Sequence, residues 1–283
     1  FEDNPNLSLI AEPCVGLQPA GNSKFIRFWH EVSNFQIGYS CSDKNEALLS
    51  GKKWFPCNKG GGQRKWYGNQ SEVINWQNDG ELIRIHPGAV IRNEHCYFKP
   101  SVTWNMISGN YITFRYFPKG FILNNASNAI PVTPPDSMIA FLSSKISSVI
   151  ANILNATTNL SNGVVARFPY LTIKNEELLA KVRDNILISQ QDWDAHETSW
   201  NFESNELIRL FKQNGGTIEN SMDAFIAEWT KKFYELHDNE EELNRQFIEI
   251  YGLQDELTPD VPLNEVTILQ QKEIKIENGQ IKW

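Results

Sequence analysis

The sequence is poor in cysteine: only Cys14, Cys41, Cys57 and Cys96 stand among its 283 residues, and no two of them form a CxxC pair. A structural zinc ribbon needs such pairs, so the spacing gives no sign of one. Because no secretory signal is visible either, we expect four free, reduced thiols and no disulfide.

Long apolar runs are also lacking. No stretch approaches the ~18 apolar residues that a bilayer-spanning helix needs, so we expect no membrane partner. The chain begins with Phe1, and its first seven residues (FEDNPNL) have neither the basic nor the apolar region of a signal peptide. We therefore expect a piece of a longer cytoplasmic protein. With 41% hydrophobic residues, a wholly disordered chain is excluded.

The sequence also lacks recognisable catalytic motifs. The run KGGGQR at 59–64 lacks the GxxxxGK[ST] frame of a phosphate-binding P-loop. TPPD at 133–136 lacks the Asn and the aromatic residue with which the NPPY motif of amino-group methyltransferases holds a flipped base. His86, His95 and Cys96 do not have the spacing of metal ligands. We therefore expect no catalytic residue, no metal and no cofactor site in this chain.

One nuclease pattern stays open as an alternative. Pro259-Asp260 together with Glu273-Ile274-Lys275 spells the PD…ExK motif of metal-dependent nucleases. Its carboxylates would have to converge on one metal ion, and the context of the first pair is typical of a loop.

Charge divides the chain. Residues 1–173 carry 15 Lys and Arg against 11 Asp and Glu, whereas residues 174–283 carry 11 against 23. A weakly basic part joined to a strongly acidic one suggests that only the first meets a polyanion, although ordinary solvated surfaces would also give this pattern. Together with the change in local composition, it predicts two domains, 1–172 and 173–283.

The first domain has the composition of a sheet. Short runs of β-branched and aromatic residues predict strands at 24–29, 72–76, 81–85 and 111–117. Asn78-Asp79-Gly80 and Ser108-Gly109-Asn110 are typical hairpin turns. Asp136 is placed to cap a helix over 138–154, and 163–171 resembles a short closing strand.

The second domain has the periodicity of helices. Apolar residues recur at helical spacing over 176–188, 203–213, 221–237 and 240–251, with glycines at 215–216 and 252 as breaks. The end, 265–283, alternates enough for a strand or two. The fold class is therefore α+β: a twisted, mainly antiparallel sheet domain followed by a helical domain.

A basic, Gly-rich stretch at 51–80 is the strongest functional signal. Within it, five Lys or Arg residues are interleaved with Trp54, Phe55, Trp66 and Tyr67. Cations neutralise phosphates, glycines let backbone N–H groups approach them, and Arg, Lys, Asn and Gln read purine edges. The alternative is a positively charged loop with aromatic residues buried beneath it.

The same stretch resembles a known family. KWFPCNKGGGQRKWYGN at 53–69 and VINWQNDG at 73–80 resemble the specificity region of the PglX-type adenine methyltransferases of BREX phage-defence systems, which are related to type IIG restriction-modification enzymes. GLQPAGNSKFIRFWHEV at 16–32 and DWDAHETSWNF at 192–202 resemble further segments of that family in the same order. The resemblance covers nearly the whole chain.

The resemblance implies a modular enzyme. A methyltransferase domain outside this chain binds S-adenosylmethionine and methylates adenine in double-stranded DNA, while the target recognition domain represented here selects the site. The implied partners are double-stranded DNA, the methyltransferase domain and other defence-system subunits. A different class of function also fits the sequence, namely a protein-interaction module that docks such a subunit or an inhibitor.

On this interpretation the DNA contacts come from the Gly-rich loop and neighbouring strand ends. The predicted contact residues are Lys59, Gly60, Gly61, Gln63, Arg64, Lys65 and Asn69 in the loop, with weaker backbone contacts from Lys24, Arg27, Arg115 and Lys119. Trp66 and Tyr67 are predicted to support the loop from the core. The acidic domain, which repels phosphate, is expected to brace the recognition domain.

Overall fold

The computed structural model describes residues 4–107, 112–155, 157–214, 217–269 and 273–283. Within these ranges helices and mainly antiparallel strands occur together, which confirms the α+β class. The strands are β1 Cys14–Val15, β2 Ile26–Phe28, β3 Trp54–Asn58, β4 Glu72–Asn75, β5 Ser101–Asn105, β6 Phe114–Phe117, β7 Ile122–Leu123, β8 Ser127–Pro131, β9 Lys275–Glu277 and β10 Gln280–Lys282. The helices are α1 Asn22–Phe25, α2 Lys44–Leu49, α3 Gln77–Arg84, α4 Asp136–Leu142, α5 Lys145–Leu154, α6 Asn162–Val165, α7 Glu176–Asp194, α8 Glu206–Asn214 and α9 Ile218–Ile250.

Two four-stranded sheets form the first part of the fold. One has the order β1-β8-β5-β6 and is antiparallel throughout, with β5 and β8 paired from Ser101↔Pro131 to Asn105↔Ser127. The other has the order β2-β4-β3-β7, in which only β7 runs parallel to its neighbour. β5 and β8 are buried almost along their whole length, so the polar residues Ser101 and Thr103, which alternate with Val102 and Trp104 in β5, are buried as well.

The strand predictions have mixed outcomes. The strand at 72–76 is confirmed as β4, and 24–29 contains the last two residues of α1 followed by β2. The predicted run 111–117 contains β6, although its first residue, like the predicted turn at 108–110, lies outside the described residues. The strands predicted for 265–283 are confirmed as β9 and β10.

The strand predicted at 81–85 is wrong, because residues 81–84 belong to α3 and Ile85 caps its end. Asn78, Asp79 and Gly80 all have positive φ angles, of 51, 60 and 71°, and turn the chain from β4 directly into a helical segment. Arg84 stabilises this turn by donating to the Asp79 carbonyl oxygen at 2.7 Å. The turn residues were recognised, but they lead into a helix instead of a hairpin.

The strand predicted at 163–171 is also wrong. Ser161 caps the short helix α6, and the chain beyond it is held by the N-terminal segment, where the Leu7 N–H donates to the Phe168 carbonyl oxygen at 2.8 Å. A single bridge between Asn6 and Pro169 replaces an extended pairing. Pro169 has no N–H to donate to a ladder, which accounts for the missing strand.

One predicted helix is divided in the structure, and two others are joined. The helix predicted over 138–154 is divided into α4 and α5, since Ser144 caps a new start, and Asp136 begins α4 instead of capping it. The helices predicted at 221–237 and 240–251 are one 33-residue helix, because no Gly or Pro separates them. Gly252, at φ +67°, ends it as expected, whereas the predicted break at 215–216 lies outside the described residues.

The larger hydrophobic core contains residues from both sides of the predicted domain boundary. Trp66, Trp104 and Phe141 from the first part pack in the same cluster as Trp229 and Phe247 of α9. A smaller core, including Phe25, Phe55, Ile74 and Trp76, lies with the second sheet. The helical part therefore packs directly on the sheet part, and the boundary at 172 stays a prediction.

The prediction that all four cysteines are free is wrong. Cys14 and Cys96 are joined in a disulfide across 82 residues, while Cys41 and Cys57 are free and buried. The fold brings β1 next to the turn Glu94–Cys96, a proximity that sequence spacing cannot show. Burial raises the pKa of the Cys57 thiol well above its usual range, so this thiol stays protonated.

In the part of the chain that the structure describes, no single helix is long and apolar enough to cross a membrane. Taken together, α4 and α5 have the length and apolar composition of such a helix, but they are bent by 60° at the break between them.

Phe141 offers a test of the shared core. Its ring contacts those of Phe168, at 6.4 Å between centroids, and Phe247, at 5.8 Å. We expect Phe141→Ala to lower the free energy of unfolding by about 3–5 kcal/mol, because it leaves a cavity between the two parts. The exposed Phe35 is the control: Phe35→Ala should stay within about 0.5 kcal/mol of the parent in urea denaturation. Equal effects of the two variants would contradict the shared core.

Candidate nucleic-acid interface

The Gly-rich loop follows β3 and is held in shape from beneath. The Asn69 side chain donates to the Gly62 carbonyl oxygen and that of Asn105 to the Gly61 carbonyl oxygen, both at 2.7 Å. Gly61 has φ +134°, and a Cβ atom there would lie 2.6 Å from the Asn69 side chain. The loop therefore needs glycine at this position. Asn69, predicted to read a base, is buried and supports the loop.

The apex of the loop faces solvent. Gly61, Gly62 and Gln63 are exposed, Lys59 is half-buried at the start of the loop, and Gly60 is buried. Backbone N–H groups and one amide side chain are thus available at the apex.

Arg64, the next residue, turns inward and forms a buried ion pair. Its Nη2 atom lies 2.6 Å from Oδ2 of Asp192 on α7, with relative side-chain exposures of 8% and 1%. The guanidinium also lies over the Trp193 ring at 5.3 Å from its centroid. Oδ1 of Asp192 accepts from the Leu269 N–H at 2.9 Å. Arg64 therefore ties the loop to the acidic half of the chain.

Lys65 forms a second connection to that half. Its Nζ atom lies 2.7 Å from Oε2 of Glu240 on α9, and the indole N–H of Trp66 donates to Oε1 of the same carboxylate at 2.7 Å. The Lys65 backbone N–H donates to Oγ1 of Thr267 at 2.8 Å. One buried carboxylate thus holds two successive loop residues, and Trp66 lies in the core beneath the loop.

Arg115 on β6 is completely buried. It donates to the Asn105 side chain, and two of its guanidinium nitrogens, Nε and Nη1, have no hydrogen-bond partner among the described residues. Burial, followed by the nearby positive charge of Arg64, lowers the pKa of Arg115 to about 10. In this arrangement Arg115 lies inside the protein, away from any bound polyanion.

The remaining predicted cations lie at the surface. Lys24 and Lys119 are exposed and Arg27 is half-buried. Lys119 donates to Oγ of Ser42 at 2.9 Å, and Arg27 to the Ile26 carbonyl oxygen at 2.7 Å. Across the described ranges, no carboxylate oxygen lies within 4.0 Å of Lys24, Arg27, Lys59 or Lys119. Their charge is available to a ligand.

The structure thus separates the predicted contact residues into two groups. Arg64, Lys65 and Arg115 are buried or paired with the acidic half, while Lys24, Arg27, Lys59, Lys119 and the loop apex are accessible. Contact with DNA by any of them stays a prediction. No pattern in the sequence indicated Asp192 and Glu240 as partners of the loop, because they lie 128 and 175 residues away from the cations that they pair with.

The nuclease alternative finds no support in the described residues. Oε1 of Glu273 lies 2.7 Å from Nε2 of His196, and Asp260 offers its carbonyl oxygen to Lys145 at 2.9 Å. Among the residues that the structure describes, neither carboxylate belongs to a group of side chains that could share a metal ion.

Two relatives of this chain are adenine-specific methyltransferases. No family model matches the chain. It is 34% identical over 267 residues to an adenine-specific methyltransferase, PglX of Lacticaseibacillus casei strain Zhang, and 34% identical over 245 residues to the adenine-specific methyltransferase BrxX of Escherichia coli O9:H4 strain HS. These matches cover 89% and 84% of this chain. The chain is homologous to a C-terminal part of these methyltransferases and spans 22% and 19% of their lengths.

Among solved structures, the chain is similar to the type IIL restriction-modification enzyme MmeI, solved in complex with DNA. The match covers 91% of this chain and 34% of that one, with 13% identity and a TM-score of 0.48.

The Arg64–Asp192 pair can be tested by removing one partner. We expect Arg64→Met to lower the free energy of unfolding by about 3–5 kcal/mol, because it leaves the Asp192 carboxylate buried and uncompensated. The double variant Arg64→Met, Asp192→Leu should recover most of that loss. Lys59→Met, which removes an unpaired cation from the same loop, should change stability by less than about 0.5 kcal/mol in urea denaturation. A Lys59 effect as large as that of Arg64 would contradict this assignment.

Proposed function

We propose that this chain is the DNA target recognition region of a bacterial N6-adenine methyltransferase that acts in the cytoplasm in restriction-modification or phage defence. The observation that carries the proposal is the 34% identity to adenine-specific methyltransferases over nearly nine-tenths of the chain. In the proposed enzyme, S-adenosylmethionine and the chemistry of methyl transfer belong to the methyltransferase domain, and this chain chooses the site.

The accessible cations support contact with phosphate. Lys24, Arg27, Lys59 and Lys119 have no carboxylate partner among the described residues, so each can displace a counterion from the DNA backbone. Four such contacts would make the logarithm of the binding constant fall with the logarithm of salt concentration with a slope of about −3.6.

The loop apex supports base readout. Gln63 is exposed at the apex, and a Gln side chain pairs in a bidentate manner with the N6 and N7 edge of adenine. The backbone N–H groups of Gly61 and Gly62 are placed to approach phosphate oxygens. In this proposal Asn69, Arg64, Lys65 and Arg115 position the loop from below and do not touch DNA.

The acidic half also fits a role in positioning the loop without touching DNA. It contributes Asp192 and Glu240 as buried anchors of the loop, and its excess of carboxylates disfavours direct contact with a polyanion. Its role is to brace the recognition surface and to adjoin the rest of the enzyme, including other defence-system subunits.

The test compares two variants of equal charge change. One replaces Lys24, Arg27, Lys59 and Lys119 with Ala; the other replaces four exposed lysines of the acidic half, Lys174, Lys212, Lys231 and Lys275, with Ala. We expect the first to weaken duplex-DNA binding and to reduce the salt slope by about 3.6, since four phosphate contacts are lost. The second variant should change the salt slope by less than about 0.9, the contribution of one phosphate contact.

Binding is measured by fluorescence anisotropy across a salt series, with this chain and with the full-length parent enzyme. Equal losses in the two variants would move the contact surface elsewhere. If neither protein binds duplex DNA at low salt, the proposal is overturned in favour of the protein-interaction module.

A further inference from the structure

Four side chains of the types that bind metal ions converge beside β1. Glu12, Cys14, His95 and Cys96 each place one ligand atom within 4.8 Å of the other three. In the described part of the chain this is the one such group. It lies with the smaller core, outside the Gly-rich loop and its partners.

The fold builds this cluster from two short segments. Cys14 lies in β1, opposite Ala129 of β8, and Glu12 stands two residues before it, so that in an extended chain both side chains leave on the same side. His95 and Cys96 lie in the turn Glu94–Cys96. The Asn93 side chain donates to the Val15 carbonyl oxygen at 3.0 Å and holds this turn against β1.

The donor set matches the preferences of zinc. Two thiolates, one imidazole and one carboxylate are all ordinary ligands of Zn²⁺, which is four-coordinate and tetrahedral in structural sites. With bonds of about 2.3 Å to sulfur and about 2.0–2.2 Å to nitrogen and oxygen, tetrahedral ligand atoms lie roughly 3.3–3.8 Å apart. Nε2 of His95 and Oε2 of Glu12 are 3.0 Å apart, so these exposed side chains need a small outward movement, and the two sulfur atoms, bonded to each other in the disulfide, must separate to this spacing once they are reduced.

The burial of the four groups fits a site at the edge of the core. Cys14 and Cys96 are 0% and 1% exposed, whereas the side chains of Glu12 and His95 are 68% and 56% exposed. Two buried cysteines at the back and two exposed, adjustable ligands at the front give an ion a path of entry and then a closed coordination shell.

The disulfide and a metal site are alternative states of the same two sulfur atoms. Disulfides are rare in compartments that keep thiols reduced, and there clustered cysteines more often bind metal. The choice of the reduced state rests on the proposed function, because an enzyme that modifies DNA inside a bacterium works in such a compartment.

We propose that, with the Cys14–Cys96 disulfide reduced, Glu12, Cys14, His95 and Cys96 bind one zinc ion as a closed structural site. In vitro a water-soluble phosphine is the reductant: it takes an oxygen atom from water to become the phosphine oxide, the S–S bond breaks, and each sulfur gains a proton. Zn²⁺ then displaces both thiol protons as the two Zn–S bonds form. With four protein ligands, the ion has no open position for substrate and serves to pin β1 to the turn Glu94–Cys96.

The experiment uses the full chain, reduced with the phosphine and dialysed without oxygen against zinc chloride. We expect one zinc per chain by elemental mass spectrometry, a melting temperature that rises with zinc, and an X-ray absorption spectrum with two sulfur and two nitrogen or oxygen neighbours. His95→Ala changes an exposed side chain and should leave the fold intact. It should weaken zinc binding by about tenfold or more, since even changes to residues that only contact a zinc ligand cost that much.

Cys96→Ser should abolish stoichiometric binding, while Cys41→Ser, which changes a cysteine outside the cluster, should not. Substoichiometric zinc together with two thiols reactive to Ellman's reagent would overturn the proposal. So would a Cys14–Cys96 bond that persists under the phosphine, seen as an intact mass two hydrogens lower. Zinc binding without DNA binding would contradict only the recognition function, and DNA binding without zinc only the metal site.

Discussion

Burial of the cations that follow the Gly-rich loop is the constraint on which the structure depends. Arg64 and Lys65 must find carboxylates, because an unpaired charge in the interior costs several kcal/mol. Asp192 and Glu240 supply them from α7 and α9, and both carboxylates take a further hydrogen bond, from the Leu269 N–H and the Trp66 indole. The acidic half thereby fixes the position of the loop, and the loop fixes the packing of the acidic half.

This arrangement gives neighbouring residues of one short segment different surroundings. The exposed apex from Gly61 to Gln63 and the half-buried Lys59 remain for a ligand, while the residues after it are committed to the interior. In the proposed function such anchoring favours binding at the apex, since a pre-positioned loop loses less conformational entropy on binding. The homology to adenine-specific methyltransferases covers 89% of the chain and therefore includes residues of both halves.

Much of the fold was predictable from local sequence, and the failures have physical causes. The helices α7 and α8 and the strand β4 follow from periodicity and turn residues. The segment 81–85 was mistaken because three left-handed residues can lead into a helix as well as a hairpin. The loop's glycines and cations were identified, but the direction of Arg64 and Lys65 depends on carboxylates more than a hundred residues away. The convergence of Cys14 and Cys96 depends equally on tertiary structure.

Hydrogen–deuterium exchange with and without duplex DNA tests the central claim most directly. The account predicts slower exchange on DNA binding at 59–63 and around Lys24 and Arg27, with unchanged exchange in α7 around Asp192 and in α9 around Glu240. Those two helices should already exchange slowly, because they lie in the shared core. Protection of the acidic helices by DNA, with none at the loop apex, would contradict it.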